Sequence, residues 1–220
     1  MKSLLIAGTD TDAGKTIITT ALRCYYQQFE PHRATGILKL VQTGEVGDEE
    51  FYKQFFPDVV VPLRYAAPLA PPIAAMREGK RVDLSVVEKS FRDLQSRYEL
   101  LLVEGLGGLG SPVTEQWTVA DIASRWGLDT IVVVPIKLGA IAHTVANVAL
   151  ARQCGVSLRG IIFNSTRPCQ PEDIQNWTPR QLIESLTSIP VIGYFPFVVD
   201  IKPSLLGMLV REHLDLSIIT

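Results

Sequence analysis

The sequence predicts an α/β fold in which helices cover both faces of a doubly wound, mostly parallel sheet. Short apolar runs alternate with helical patterns throughout the chain, as expected for strands joined by crossover helices. One run, residues 100–103, is Leu-Leu-Leu-Val without polar alternation, which is typical of a central strand buried on both faces. No linker, internal repeat or low-complexity segment divides the chain, so residues 1–220 are predicted to form a single domain.

In the first half of the chain, residues 3–7 form a predicted strand because they are mostly apolar and end at a glycine. Residues 16–28 are a predicted helix, since their apolar side chains recur at a spacing that lies on one helical face. Residues 34–40 and 59–63 are further predicted strands. The proline cluster over residues 68–72 is expected to break the chain after them.

The second half continues the same alternation. Asp83 can cap a helix that runs to about Arg97, because its carboxylate can accept a hydrogen bond from a free first-turn amide. The further predicted strands are residues 100–103, 130–134, 158–163 and 191–195. The further predicted helices are residues 119–126, 140–153, 179–186 and 205–213. With about six or seven strands in such a sheet, ligands are expected at the carboxyl ends of the strands.

Composition limits the classes of partner and compartment. The 220 residues are 47% hydrophobic and 20% charged, a balance typical of a globular chain with a sizeable core. Lys plus Arg number 21 against 23 Asp plus Glu, so the net charge of −2 provides no basic field for a nucleic acid or an anionic membrane. The three cysteines form no CxxC pair, and no apolar run has the length of a signal peptide or a membrane span. We therefore expect a cytoplasmic protein.

The strongest chemical signal is the turn GTDTDAGKT, which runs from Gly8 to Thr16 between the first strand and the first helix. Loop amides and a helix N-terminus can bind phosphate there, Lys15 can supply a point charge, and the Thr16 hydroxyl can bind Mg²⁺. The strict Walker spacing would place a glycine at position 9, one step after Gly8. The turn predicts a P-loop NTPase-like fold, and the alternative is a glycine-containing turn that binds nothing.

Two further segments can complete a nucleotide site. Glu104 is followed by a run of glycines at the end of the central strand, where a carboxylate can bind the metal ion of a triphosphate or can be a solvated side chain on a loop. The segment KLVQTG starts at Lys39 and delivers a lysine and the Thr43 hydroxyl to the same sheet edge, unless it is an ordinary strand end. Asp48 is a possible metal ligand, and an acidic helix start is its alternative.

Two strand ends in the second half carry weaker signals. Gly139 precedes a predicted helix whose free first-turn amides can hold a carboxylate. Asn164 ends a predicted strand, where its amide can contact a base edge or stabilise a turn.

Together these motifs resemble the dethiobiotin synthetase family, the ATP-dependent ring-closing ligases of biotin biosynthesis. They occur in the family's order over nearly the whole chain: GTDTDAGKT from Gly8, KLVQTG from Lys39, EGLGG from Glu104, KLG from Lys137, and then Asn164. The resemblance implies a homodimer of P-loop α/β subunits, and the family's shifted glycine accounts for the departure from the Walker spacing.

The resemblance also implies a reaction. In that family 7,8-diaminononanoate reacts with CO₂, in equilibrium with bicarbonate, to give a carbamate. The carbamate attacks the γ-phosphate of ATP, and the second amine then closes a cyclic urea with release of ADP and phosphate. Mg²⁺ is the implied cofactor and ATP the implied co-substrate.

Residue roles follow from the same resemblance. It implies Lys39 and Lys15 as catalytic residues and Thr16, Asp48 and Glu104 as Mg²⁺ ligands. The implied ATP contacts are Asp12, Ala13, Gly14, Lys15, Thr16, Ile17, Asp48, Glu104, Gly105, Leu106, Gly107, Asn164, Ser165, Pro196, Phe197 and Val198. The implied substrate contacts are Thr11 and Thr43, with Gly139, Ala140 and Ile141 donated across the dimer. The chain departs from the family at Asp12, where Glu is frequent, at Leu40, where Pro is common, and at Ala142, where a polar residue can assist the substrate carboxylate.

Two other functions remain open on the sequence alone. A nucleotide-dependent switch of the plasmid-partition or cell-division-site type would share the P-loop, but such proteins carry a lysine at the position of Asp10 and tend to have a membrane helix or a basic surface. A related ATP-dependent ligase with another acceptor would share every ATP and Mg²⁺ motif. Phosphate release that depends on diaminononanoate separates the three.

Overall fold

Eight strands and nine α-helices form the part of the chain that the computed structural model describes, residues 2–219. The strands are β1 (Lys2–Gly8), β2 (Thr35–Lys39), β3 (Gln42–Thr43), β4 (Arg64–Tyr65), β5 (Leu100–Gly108), β6 (Asp129–Pro135), β7 (Ser157–Asn164) and β8 (Val191–Phe195). The helices are α1 (Lys15–Phe29), α2 (Asp48–Lys53), α3 (Pro71–Arg77), α4 (Leu84–Arg97), α5 (Val119–Arg125), α6 (Ala140–Cys154), α7 (Pro171–Trp177), α8 (Arg180–Thr187) and α9 (Pro203–His213). A short 3₁₀ helix, Leu216–Ile218, follows them.

Six strands form one sheet in the order β2-β5-β1-β6-β7-β8, and every neighbouring pair is parallel. From β1 the chain goes to the edge strand β2, returns to place β5 between them, and then continues on the other side of β1 with β6, β7 and β8, which confirms the predicted doubly wound sheet. The carboxyl ends of all six strands therefore lie at one edge. The turn after Gly8, the end of β2 and the end of β5 meet at this edge, as expected for a ligand site of such a sheet.

Alternating side chains of β1 bury apolar surface on both faces of the sheet. Leu5 and Ala7 belong to the core beneath α4, α5 and α8, whereas Leu4 and Ile6 belong to the core beneath α1 and α9. All four side chains are essentially inaccessible to solvent. Burial on both faces explains why the central strands are continuous apolar runs rather than alternating ones.

The prediction of a strand over residues 59–63 is wrong. Only Val60 bridges to β2: its N–H donates to the carbonyl of Ile37 at 3.1 Å, and its carbonyl accepts from the N–H of Lys39 at 3.0 Å. Pro62 has no N–H to donate to the next position of the ladder, so regular pairing cannot continue along this edge.

Several prolines begin helices, which the prediction of a chain break at residues 68–72 did not include. Pro71 and Pro72 form the first turn of α3, and Pro171 begins α7, a helix that was not predicted. Proline suits the first helical turn because its fixed φ is helical and its missing N–H is not needed there.

The two-stranded parallel sheet of β3 and β4 was also not predicted. Within residues 2–219, no helix has both the length and the apolar character required to cross a membrane.

Candidate active site

Two glycines shape the loop between β1 and α1. A Cβ atom on Gly8 would lie 2.7 Å from the carbonyl oxygen of Asp10 and 2.8 Å from that of Gly107, so a side chain there would separate the loop from β5. Gly14 has φ +83°, and a Cβ atom on it would lie 2.1 Å from Nδ2 of Asn164. The glycine at position 8 rather than 9 therefore has a steric cause: it lets the loop pack against the end of β5.

Lys15 is buried inside its own loop. Its ammonium group donates to the carbonyl oxygens of Asp10 and Thr11, at 3.0 Å each. Burial lowers the pKa of Lys15 to about 8, although the negative charge of Glu104 opposes the shift. Because carbonyl oxygens are neutral, a bound phosphate would provide the direct, charged hydrogen-bond partner that this ammonium group otherwise lacks.

Asp10 holds the outer part of the loop. Its Oδ1 accepts from the N–H of Thr11 at 2.6 Å, and its Oδ2 accepts from the ammonium group of Lys137, which begins the turn after β6. The hydrogen bond from Lys137 lowers the pKa of Asp10 below its ordinary value. Asp10 is thus a carboxylate paired within its own chain, at the position where switch ATPases carry a lysine.

The three predicted Mg²⁺ ligands lie together. The hydroxyl of Thr16 donates to Oδ1 of Asp48 at 2.7 Å and lies 3.1 Å from Oε1 of Glu104. The three residues provide two carboxylates and one hydroxyl. Within residues 2–219 no group of three or more His, Cys, Asp or Glu side chains could hold a metal ion. Hard oxygen donors of this kind suit Mg²⁺, which usually takes one or two carboxylates and completes its shell with phosphate and water.

Lys39 lies against the same two carboxylates. Its ammonium nitrogen is 2.6 Å from Oδ2 of Asp48, 2.7 Å from Oε1 of Glu104 and 3.2 Å from the carbonyl oxygen of Gly105. Lys39 and Glu104 are register partners on neighbouring strands, which explains their proximity. Burial alone would lower the pKa of Lys39, but the charges of Glu104 and Asp48 raise it, so this ammonium group keeps its proton.

Helix α2 contributes two aromatic residues that the sequence reasoning missed. Asp48 begins this helix, so its helix-start and site interpretations are compatible. Tyr52 lies one turn later, is fully buried, and donates its hydroxyl hydrogen bond to Oε2 of Glu104. Phe51 lines a cavity beside the loop between β1 and α1, which is described below. Helical spacing of three and four residues from Asp48 was the signal that could have identified both.

A network of polar side chains fixes the turn that precedes Asp48. The amide of Gln42 donates to Oε2 of Glu50 at 3.0 Å, and its oxygen accepts from the N–H of Glu49 at 2.8 Å. Arg64 forms ion pairs with both of these glutamates, at 2.6 Å each. Gln42 and Arg64 are register partners in the small β3–β4 sheet, which gives that sheet a role in placing Asp48.

A cavity of about 440 Å³ lies on one side of the loop. Most of the predicted ATP contacts line it: Asp12, Gly14, Lys15, Thr16, Ile17, Asp48, Asn164, Ser165, Pro196, Phe197 and Val198. Thr11, Phe51 and Thr166 complete the lining. Segments distant in the sequence thus converge on one space that has the P-loop at one end.

A second cavity of about 230 Å³ lies on the other side of the loop. Its lining consists of Thr11, Asp12, Lys15, Thr16, Lys39, Val41, Gln42, Thr43, Asp48, Glu104, Leu106 and Gly107. The two cavities share the P-loop residues and Asp48. An acceptor in the smaller cavity would therefore lie next to the phosphate end of a nucleotide in the larger one.

Some predicted site residues line neither cavity. Ala13 and Gly105 are buried beneath the loop, and the amide of Asn164 donates to the carbonyl of Ala13 at 2.8 Å. Asn164 therefore supports the P-loop as well as lining the larger cavity. The residues at the start of α6, Gly139 to Ile141, also line neither cavity of their own chain in the part described.

The expectation of three free amides at the start of α6 is wrong for Ala140. Its N–H donates to the carbonyl oxygen of Lys137 at 3.1 Å, closing the turn that leads into the helix. Gly139 caps the helix with φ +92°, a left-handed conformation that favours glycine. A carboxylate at this helix start would consequently depend on the amides of Gly139 and Ile141.

Comparisons with known proteins give consistent results. A family described as an AAA domain matches residues 2–204. The ATP-dependent dethiobiotin synthetase BioD of Gloeothece citriformis is 52% identical, covering 92% of this chain and 91% of its own length. The protein of that name from Crocosphaera subtropica is 50% identical over the full length of both chains. That of Bacillus subtilis is 28% identical and covers 100% of this chain and 97% of its own.

Solved structures with the same fold include two that are distant in sequence. A ParA family ATPase from Chlorobium tepidum superimposes with a TM-score of 0.58 at 13% identity, covering 99% of this chain and 96% of that one. The MinC:MinD cell division protein complex from Aquifex aeolicus gives a TM-score of 0.54 at 13% identity, covering 96% and 86%. These similarities support the P-loop ATPase type of fold and carry no information on the reaction.

Proposed function

The chain belongs to the AAA domain family and to the ATP-dependent dethiobiotin synthetases, and on that premise we propose that it converts 7,8-diaminononanoate and CO₂ to dethiobiotin. Family membership makes it an ATP-dependent ligase of biotin biosynthesis. The observation that carries the proposed reaction is the shared wall of the two cavities. Lys15 and Asp48 line both, while Lys39 and Glu104 line only the smaller one, so a nucleotide and an acceptor can meet there.

The larger cavity suits ATP. The loop amides and Lys15 bind the phosphates, and the cavity extends from them to Asn164 and Phe197, where polar and apolar surface can receive the base and ribose. Its volume of about 440 Å³ falls within the range of small-ligand sites. Thr16, Asp48 and Glu104 would hold Mg²⁺, which when bound neutralises charge on the β- and γ-phosphates.

The smaller cavity suits the carbamate. One amine of the diamine attacks CO₂ and loses a proton, which gives an N-carboxylate. Its oxygen attacks the γ-phosphorus and displaces ADP. The second amine then attacks the carboxyl carbon, loses a proton, expels phosphate and closes the five-membered urea. Lys39 and Thr43 line this cavity. In the proposed reaction, Lys39 stabilises the carbamate and the transferring phosphoryl group, and Thr43 donates to the same substrate.

A homodimer supplies the remaining part of the proposed site. The start of α6 lines neither cavity of its own chain, which supports a role toward a second copy. The amides of Gly139 and Ile141 would then hold the substrate carboxylate bound to the partner, since a helix N-terminus favours an anion. Dimerisation and the cytoplasmic location both stay predictions.

The paired Asp10 favours a synthetase over a switch ATPase. Switch ATPases of the plasmid-partition type place a lysine at this position to act on a partner's nucleotide, whereas here the side chain is a carboxylate bound to Lys137 of the same chain. The likeness to a ParA family ATPase, at 13% identity, concerns the fold alone.

Omission experiments test the proposal. ADP release should require ATP, Mg²⁺, diaminononanoate and bicarbonate together, and mass spectrometry should identify dethiobiotin as the product. ADP release at the same rate with and without diaminononanoate would favour the switch ATPase. Release that requires a different amine or carboxylate would favour a related ligase with another acceptor.

A further inference from the structure

We propose that Tyr52 is a positioning residue, whose hydroxyl orients the Glu104 carboxylate so that its other oxygen faces Thr16 and Lys39. The inference rests on the proposed function, in which Glu104 is one of three Mg²⁺ ligands. Tyr52 itself lines neither cavity and, on this proposal, acts only through Glu104.

The two oxygens of Glu104 have different partners. Oε1 faces the site, where Lys39 lies 2.7 Å away and the Thr16 hydroxyl 3.1 Å away. Oε2 faces the core and accepts from Tyr52. The last torsion of a glutamate side chain has a broad energy profile, so contacts rather than rotamer preference decide the plane of its carboxylate. Holding Oε2 from the core side fixes the direction in which Oε1 points.

Burial makes the contact with Tyr52 necessary. Glu104 and Tyr52 are both inaccessible to solvent, at 0% exposure each. A buried carboxylate oxygen without a donor costs free energy, and an ionised carboxylate can only accept. The phenol of Tyr52 supplies that donor, because its O–H bonds to Oε2 of Glu104.

Helix α2 links this support to a second ligand. Asp48 and Tyr52 lie four residues apart, on one face of the helix. The start of the helix is fixed by the bond from the N–H of Gly47 to Glu50 at 2.8 Å. Helix α2 therefore carries the proposed ligand Asp48 and, through Tyr52, contacts the core-facing oxygen of the proposed ligand Glu104. The positions of Asp48 and Glu104 are coupled through this helix.

Tyr52→Phe tests the proposal because it removes one oxygen and keeps the ring. Partners of metal-bound side chains typically change metal affinity about 10–100-fold when removed. We expect the Kd of Mn²⁺, used in place of Mg²⁺ and measured by electron paramagnetic resonance with ADP present, to rise at least about 10-fold. ADP affinity without metal should change less than about threefold, since Tyr52 lies outside the nucleotide cavity.

Tyr26→Phe is the matched control. Tyr26 is a buried tyrosine of the same core, on α1, about 15 Å along the helix from Thr16 at 1.5 Å per residue. It should leave the Kd of Mn²⁺ unchanged. Tyr52→Leu is a second variant that also lacks the hydroxyl, and it should show the same weakened binding if Tyr52→Phe does not fold.

A double-mutant cycle separates positioning from general loss of structure. In a Glu104→Gln background, Tyr52→Phe should weaken Mn²⁺ binding by less than about twofold, because the group that it orients has already lost its charge. Equal effects in both backgrounds, or normal Mn²⁺ binding by both Tyr52 variants, would overturn the role of Tyr52 and would leave the proposed metal site unaffected. Absence of Mn²⁺ binding by the parent protein would overturn the proposed metal site and the inference with it.

Discussion

Lys15 and Lys39 are both buried at the carboxyl edge of the sheet, yet the chain surrounds their ammonium groups differently. Lys15 donates to two backbone carbonyl oxygens of its own loop, and burial lowers its pKa to about 8. Lys39 lies within 2.7 Å of two carboxylates, on Asp48 and Glu104, which raise its pKa. Neutral carbonyls satisfy hydrogen bonds without offsetting the cost of burying a charge, whereas carboxylates do both.

The difference indicates separate tasks for the two lysines. Lys15 gains a charged hydrogen-bond partner when a phosphate enters the loop, so this interaction energy is available for the nucleotide. Lys39 is held by Asp48 and Glu104 without any ligand, so it lies beside the smaller cavity before a substrate arrives. In the proposed reaction, Lys15 stabilises charge on the phosphates of ATP. Lys39 stabilises charge on the carbamate and on the phosphoryl group that is transferred to it.

Lys39→Met should cause the largest loss. Synthesis should fall by at least about 10²–10³-fold because the charge beside the carbamate is removed, while ADP affinity should change little. The metal-free protein should also lose about 3–5 kcal/mol of stability, since Asp48 and Glu104 then lack their counter-charge. Urea unfolding and ADP titration check both. ADP affinity that fell in proportion to synthesis would make Lys39 a nucleotide residue.

Lys15→Met should have the opposite effect on stability. Turnover should again fall about 10²–10³-fold. The metal-free, nucleotide-free protein should gain about 1–3 kcal/mol at pH 7, because a buried ammonium group with only neutral partners is removed. The folded pKa of about 8 lies below the ordinary value of 10.5, so the gain should be full below pH 8 and vanish towards pH 10.5. A loss of stability at pH 7 would contradict the assigned environment.

Nucleotide binding should take up protons at pH 8. With a pKa of about 8, half of the Lys15 groups are neutral at that pH, and bound phosphate favours the charged form. Calorimetry of ADP binding in two buffers with different ionisation enthalpies should give an uptake of about half a proton. The same titration of Lys15→Met should show none, whereas an unchanged uptake would assign the proton to another group.

Asp10→Asn should have the smallest effect. The side chains of Asp10 and Lys137 are 34% and 38% exposed, so solvent screens this ion pair far more than the pairs of Lys39. We expect a loss below about 1 kcal/mol in urea unfolding and a change in the KM for ATP of less than a few-fold, since asparagine can still accept from Thr11. A loss of stability above about 3 kcal/mol would show that solvent exposure does not make the Asp10–Lys137 ion pair weaker than the ion pairs of Lys39.

The sequence predicted those parts of the site that follow from local pattern. The loop from Gly8 to Thr16 and the strand ends at Lys39 and Glu104 are defined by their neighbours in the chain, and the parallel sheet necessarily brings them to one edge. The central strands were predictable for the same reason, because burial on both faces leaves a continuous apolar run.

Contacts between distant segments were not predictable in the same way. Helical spacing from Asp48 could have placed Tyr52 on the site face of α2, but its hydrogen bond to Glu104 joins residues 52 positions apart and has no local signal. The strand prediction over residues 59–63 was wrong because it did not take into account the missing N–H of Pro62. The engaged amide of Ala140 depends on a turn geometry that several sequences can adopt.

Carbamate binding without ATP tests the separation of the two lysines most directly. The parent protein is mixed with diaminononanoate and ¹³C-bicarbonate, and the enzyme-bound carbamate is detected by ¹³C NMR. We expect a bound carbamate signal for the parent protein and for Lys15→Met, and its loss in Lys39→Met. A signal retained by Lys39→Met, or lost equally in both variants, would contradict the assignment of Lys39 to the carbamate and Lys15 to the phosphates.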